Sequence, residues 1–124
     1  MRDRPIAYEL LEAAREVFSE KLLPALPQEL TYQALMVLNA MGIAARQAAA
    51  GDAPLEAARH RLSALYGDDA SELPALERRL AAEIRAGRFD PGAADRAAVF
   101  SHLWETTRAK AAESNPKSLS GRTT

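Results

Sequence analysis

The chain has 124 residues, 16 Lys and Arg against 17 Asp and Glu for a net charge of −1, and no cysteine. A near-neutral chain has no long-range field to draw in polyanions, which argues against nucleic acid as the main partner. The missing cysteine excludes disulfides, thiolate metal sites and cysteine nucleophiles. Ala, Leu, Arg and Glu dominate, and only 6% of residues are aromatic. Those choices favour helix over strand, so an all-α protein is expected.

Arg2, Asp3, Arg4, Glu9 and Glu12 leave no apolar core for a signal peptide in the opening stretch. The longest apolar run, residues 34–45, is interrupted by Asn39 and Gly42 and is too short to span a bilayer. The expectation is a soluble, cytoplasmic protein without a membrane partner.

Asp3 before Pro5 is a helix-start signal, and the first helix is predicted over residues 5–23. Its apolar stripe is Ile6, Leu10, Leu11, Ala14, Val17, Phe18 and Leu22, with Glu9, Glu12, Glu16 and Glu20 on the wet side. Pro24 and Pro27 end it. Residues 28–50 then read as one long helix, apolar on most of its circumference. Leu30, Ala34, Val37, Leu38, Met41, Ala44, Ala45 and Ala48 follow helical spacing, and Leu35, Met36 and Ile43 add apolar flanks. A helix of that kind is expected at the buried centre of a bundle.

Gly51 and Asp52 stop one helix and start the next, with Pro54 in the first turn. The third helix, residues 54–66, would bury Leu55, Ala58, Leu62, Leu65 and Tyr66. Ser71 is a candidate cap for a fourth, residues 72–86, burying Leu73, Leu76, Leu80 and Ile84. Phe89 is expected to anchor the following loop. The fifth, residues 93–113, would bury Ala97, Phe100, Leu103, Trp104, Thr107 and Ala111, and Asn115-Pro116 ends it. The sum is a five-helix up-and-down bundle over residues 1–114, with residues 115–124 as a flexible tail that is mobile or docks.

Candidates for chemistry are few. Glu56 and His60 lie one helical turn apart, yet one carboxylate and one imidazole form only half a metal site. His102 and Glu105 reverse the Glu-x-x-His order of a di-metal bundle and have no second copy. Both histidines therefore read as structural or solvent-facing. Arg59, Arg61, Arg78, Arg79, Arg85 and Arg88 concentrate positive charge, but Glu56, Glu77 and Glu83 are interleaved, as on a solvated face. Met36, Met41 and Trp104 could line an acyl pocket, although core is the commoner role at helical spacing. Tyr32, Asn39 and Arg46 recur every seven residues on one helix face. They form either a polar strip for a ligand or partner, or, at Asn39, an interhelical hydrogen bond that fixes register. No catalytic residue and no cofactor site is expected.

The opening Asp3-Arg4-Pro5, Glu9-Leu10-Leu11, the corner 23–26, Asn39 with Arg46, the run 103–110 and the closing Asn115-Pro116-Lys117-Ser118 together resemble a bacterial family of short helical domains of unknown function. Members of that family are typically encoded beside aminoglycoside-phosphotransferase-like kinases and acyl-CoA dehydrogenases. The resemblance implies such a kinase or dehydrogenase as partner and supplies no catalytic residue. The chain departs from the pattern after the closing motif, where Ser118-Leu119-Ser120-Gly121 lacks the usual aromatic. The expectations are a non-enzymatic accessory domain, with a homodimer as one of its arrangements, or alternatively a helical binder of an acyl or CoA-like ligand.

Overall fold

The computed structural model describes residues 4–120; Arg2, the expected Asp3 cap and residues 121–124 of the tail lie outside them. The described residues form five α-helices and no strand: α1 (Ala7–Val17), α2 (Thr31–Ala50), α3 (Ala53–Leu65), α4 (Leu73–Arg85) and α5 (Arg96–Ser114). The fold class is all-α, as composition requires. A π-helical turn, Phe18–Leu22, prolongs α1, and short 3-10 turns precede α2 and follow α5. By contacts the chain divides into two compact units, Met1–Gly51 with Ala111–Thr124, and Asp52–Lys110.

The second unit holds a continuous core. α4 carries Leu73, Leu76 and Leu80 along one stripe, and Leu76 and Leu80 are buried there with Leu62 of α3, Phe89 and Val99. Phe89 is thus the anchor its position suggests. Both α3 and α4 end in the same capping arrangement. The Gly67 N–H bonds Ala64 O and the Asp68 N–H bonds Ser63 O. One helix later, the Gly87 N–H bonds Ile84 O and the Arg88 N–H bonds Glu83 O. Each motif needs positive φ after the helix, which Gly67 (68°) and Gly87 (85°) provide without a Cβ clash. The expected Ser71 cap is not used. Glu72 takes that position, and the Ser71 N–H donates instead to Asp69 Oδ1 at 2.8 Å.

In the first unit α1 packs along α2, and Glu9 Oε1 accepts the Ile6 N–H at 3.1 Å to close the start of α1. Here the sequence reading needs correction. No residue of α1 is fully buried, and Leu10, Val17 and Leu22 of its expected core stripe are half exposed. α2 is not a dry central helix either. Its buried residues are Ala34, Leu38, Gly42 and Ala45, a single stripe with one large side chain. Leu35, Met36 and Val37 are 50%, 54% and 45% exposed. The physical reason is the stripe itself: small residues let a neighbouring helix approach closely on one side, and no described residue of the unit covers Leu35, Met36 and Val37.

α5 is turned relative to its expected register. Val99 and His102 are buried, while Phe100 (53%), Leu103 (38%) and Trp104 (62%) are exposed. In α3, Leu62 is buried and Leu55 is exposed.

Energetic weight should follow this division. Leu62→Ala is expected to lower the unfolding free energy by about 3 kcal/mol, and Leu35→Ala by under about 1 kcal/mol, in urea denaturation. Equal losses at the two positions would contradict the burial pattern.

Candidate functional site

On α2 the exposed surface flanking the buried stripe contains two members of the sequence-predicted strip, Tyr32 and Asn39. Tyr32, Leu35, Met36 and Asn39 stand at i, i+3, i+4 and i+7, so they share it. Tyr32 is 71% exposed and Asn39 is exposed as well. Asn39 therefore does not lie in a core, and among the described residues it forms no register-fixing interhelical bond. The strip is instead a mixed patch in which a phenol and an amide flank two large apolar side chains.

Arg46, the third member of the strip, behaves differently. It is half-buried, and its Nε donates to Glu113 O at 2.6 Å, tying α2 to the end of α5. Beside it lies Arg15 of α1, whose Nε donates to Leu38 O at 3.2 Å. The two guanidiniums meet over Gly42: Arg15 Nε and Cζ and Arg46 Nη1 all come within 3.2 Å of where a Cβ on Gly42 would stand. Sequence reading treated Gly42 only as an interruption of an apolar run. Glycine inside a helix costs about 1 kcal/mol relative to alanine, and that cost was the available signal that something approaches closely. An open groove of about 560 Å³ adjoins Arg15, bordered by Glu12, Glu16, Ser19 and Glu20 of α1 and its π-helical extension.

In the second unit the histidines separate. His60 is exposed on α3, where Glu56 lies 3.8 Å from Arg59 Nε. His102 is 5% exposed, and its Nδ1 accepts the Arg61 Nε–H at 3.1 Å. Arg61 Nη2 continues to Thr106 Oγ1 at 3.3 Å, so one guanidinium links α3 to two successive turns of α5. Burial holds the imidazole below its ordinary pKa, and the Arg61 charge pushes the same way against an opposing pull from Glu77. His102 is consequently the neutral, Nε2-protonated form, an acceptor for a permanent cation. Among the described residues no cluster of three metal-ligating side chains occurs.

Of the arginines on α3, α4 and the loop after α4, Arg59, Arg61, Arg79 and Arg88 are engaged. Arg79 pairs with Asp69 at 3.3 Å and Glu83 at 3.5 Å, and Arg88 with Glu83 at 2.7 Å and Asp95 at 3.6 Å. Tyr66 is enclosed by this network. Its hydroxyl donates to Glu83 Oε1 at 2.6 Å, and the Arg79 guanidinium stacks 3.8 Å from the ring centroid. Desolvation and the adjacent Glu83 push the phenol up to about 12. The same hydrogen bond keeps Glu83 below the usual carboxylate range, and bonds from Ser71 do so for Asp69. Asp69, Glu83 and Asp95 thus pair with Arg79 and Arg88 around Tyr66.

The exposed aromatic side of α5 forms an apolar groove of about 440 Å³ lined by Phe100, Leu103, Trp104 and Thr107. A smaller hollow beside it, about 110 Å³, shares Phe100 and Leu103 and includes Arg96. Arg96 Nη1 donates to Phe89 O at 2.8 Å while its guanidinium lies 4.5 Å from the Phe100 ring centroid. Trp104 and Met36, weighed as core residues, are thus both surface residues.

These features define an all-α domain with half-exposed apolar helix faces, and no described helix is long and apolar enough to cross a membrane. The model of a family described as a domain of unknown function, DUF6285, matches residues 24–118, and the chain belongs to that family. No curated protein and no solved structure shows significant similarity.

The His102 contact generates a pH dependence. Its folded pKa lies below the ordinary value of about 6.5, so the unfolded chain takes up a proton there first. Stability should therefore be constant above that pH and fall as pH drops below it. His102→Gln, which keeps an acceptor for Arg61, should flatten thermal midpoints between pH 7 and pH 5 (roughly the histidine window). An unchanged slope in that variant would remove His102 as its cause.

Proposed function

We propose that this chain is a non-enzymatic accessory domain that binds another protein through the outward face of α2. The carrying observation is the contiguous exposure of Tyr32, Leu35, Met36 and Asn39 on one helix face. Aromatic residues and methionine are enriched where interfaces bury their centres. An amphipathic helix face with anchors at i, i+3, i+4 and i+7 is a recurring mode of protein recognition. The family resemblance supports the choice of partner: an aminoglycoside-phosphotransferase-like kinase or an acyl-CoA dehydrogenase encoded nearby. A second copy of the chain is the competing occupant of the same face.

Co-expression with each enzyme, followed by size exclusion at micromolar concentration, tests the proposal. Co-elution with one of them is expected, and Met36→Asp should abolish it while leaving helix content unchanged. Separate elution from both, or co-elution indifferent to Met36→Asp, would refute it.

A second reading, an acyl or CoA-like ligand held by the helices, is favoured by the α5 groove and the nearby Arg96. Trp104 is the sole tryptophan, so its fluorescence reports the groove directly. Saturable change in Trp104 emission on adding acyl-CoAs, with a rise in thermal midpoint, is the outcome expected of such a binder. No change in either signal would remove it.

A further inference from the structure

We propose that Arg15 and Arg46, converging over Gly42, form a binding site for a single carboxylate. Both guanidiniums carry a permanent charge, and each is held by its Nε to a backbone carbonyl, Leu38 O and Glu113 O respectively. Among the described residues neither has a carboxylate within salt-bridge distance. Their groups come within 3.2 Å of the same point above Gly42, so two like charges sit close together, each in direct contact with a carbonyl dipole and not with a carboxylate. An oxyanion accepting from the remaining N–H groups of both would relieve that repulsion and complete two charge-assisted hydrogen bonds. The Nε anchors fix the guanidiniums beforehand, which lowers the entropy lost on binding.

The surroundings set the ligand class. Glu12, Glu16 and Glu20 border the adjoining groove, and their negative charge opposes a phosphate dianion or a polyanion more than a monovalent carboxylate. The ligand is therefore a carboxylate, from a free organic acid or from an acidic side chain of a bound protein. The site stands or falls independently of the α2 face, because its test uses the isolated chain.

Titration with sodium acetate, monitored by NMR at the Arg15 and Arg46 Nε–H and the Gly42 amide, against sodium chloride at equal ionic strength, decides the matter. A second titration uses a blocked tripeptide with a central glutamate. Saturable shifts at those three groups are expected with at least one probe. Tighter saturation by acetate identifies a free acid, and tighter saturation by the peptide identifies an acidic side chain. Gly42→Ala improves helix propensity, so the variant should fold, yet its methyl group sits 3.2 Å from both guanidiniums, which must shift by a few tenths of an ångström, and it fills the point on which they converge. It should weaken binding about fivefold or more, the loss of roughly one such hydrogen bond. Shifts identical to those in chloride, or unaltered affinity in Gly42→Ala, would overturn the site.

Discussion

Arg15 lies across α2 because position 42 has no side chain, and the first unit takes its form from that approach. A guanidinium can settle against a helix only where the backbone is bare, and there it finds Leu38 O as an acceptor. The same gap receives Arg46, which reaches on to Glu113 O. The buried stripe of α2 therefore consists of Ala34, Leu38, Gly42 and Ala45, and the helix is fixed in rotation by what covers that stripe. Once that side is fixed, Tyr32, Leu35, Met36 and Asn39 must face outward. The exposed patch follows from the seat of an arginine on the adjoining stripe.

The second unit uses the same chemical device differently. Arg61 directs its Nε–H into α5, where a buried imidazole accepts it, and Thr106 takes a further N–H one turn later. A neutral histidine can be an interior residue when a cation that never deprotonates supplies its hydrogen bond. That contact commits the Val99 and His102 side of α5 to the core, and Phe100, Leu103 and Trp104 are left at the surface. In both units, then, an arginine bound to an uncharged acceptor sets which apolar residues remain outside.

This is also why the sequence was legible only in part. Helix content, the positions of all five helices and the glycine stops after α3 and α4 follow from local propensity and spacing, and Leu76, Leu80 and Phe89 are buried as their pattern suggests. The faces of α2 and α5 were not legible. Apolar side chains were assigned inward because burial normally decides the matter, and the deciding contacts join residues 23, 41 and 67 positions apart. Nothing local to His102 marks Arg61 as its partner, and nothing local to Gly42 marks Arg15. The strip of Tyr32, Asn39 and Arg46 was found by its sevenfold spacing. Its division into two exposed members and one anchored arginine depends on Glu113, far along the chain.

An apolar face that is open in the isolated chain is what an accessory domain needs, since surface already covered cannot be offered to a partner. The direct test is the reactivity of the two methionines of α2, which differ only in the side they face. In dilute peroxide, with the protein monomeric, Met36 should oxidise several-fold faster than the half-buried Met41, as read by peptide mass spectrometry. Equal protection of both methionines would mean that α2 is covered all round, and the account given for its outward face would be contradicted.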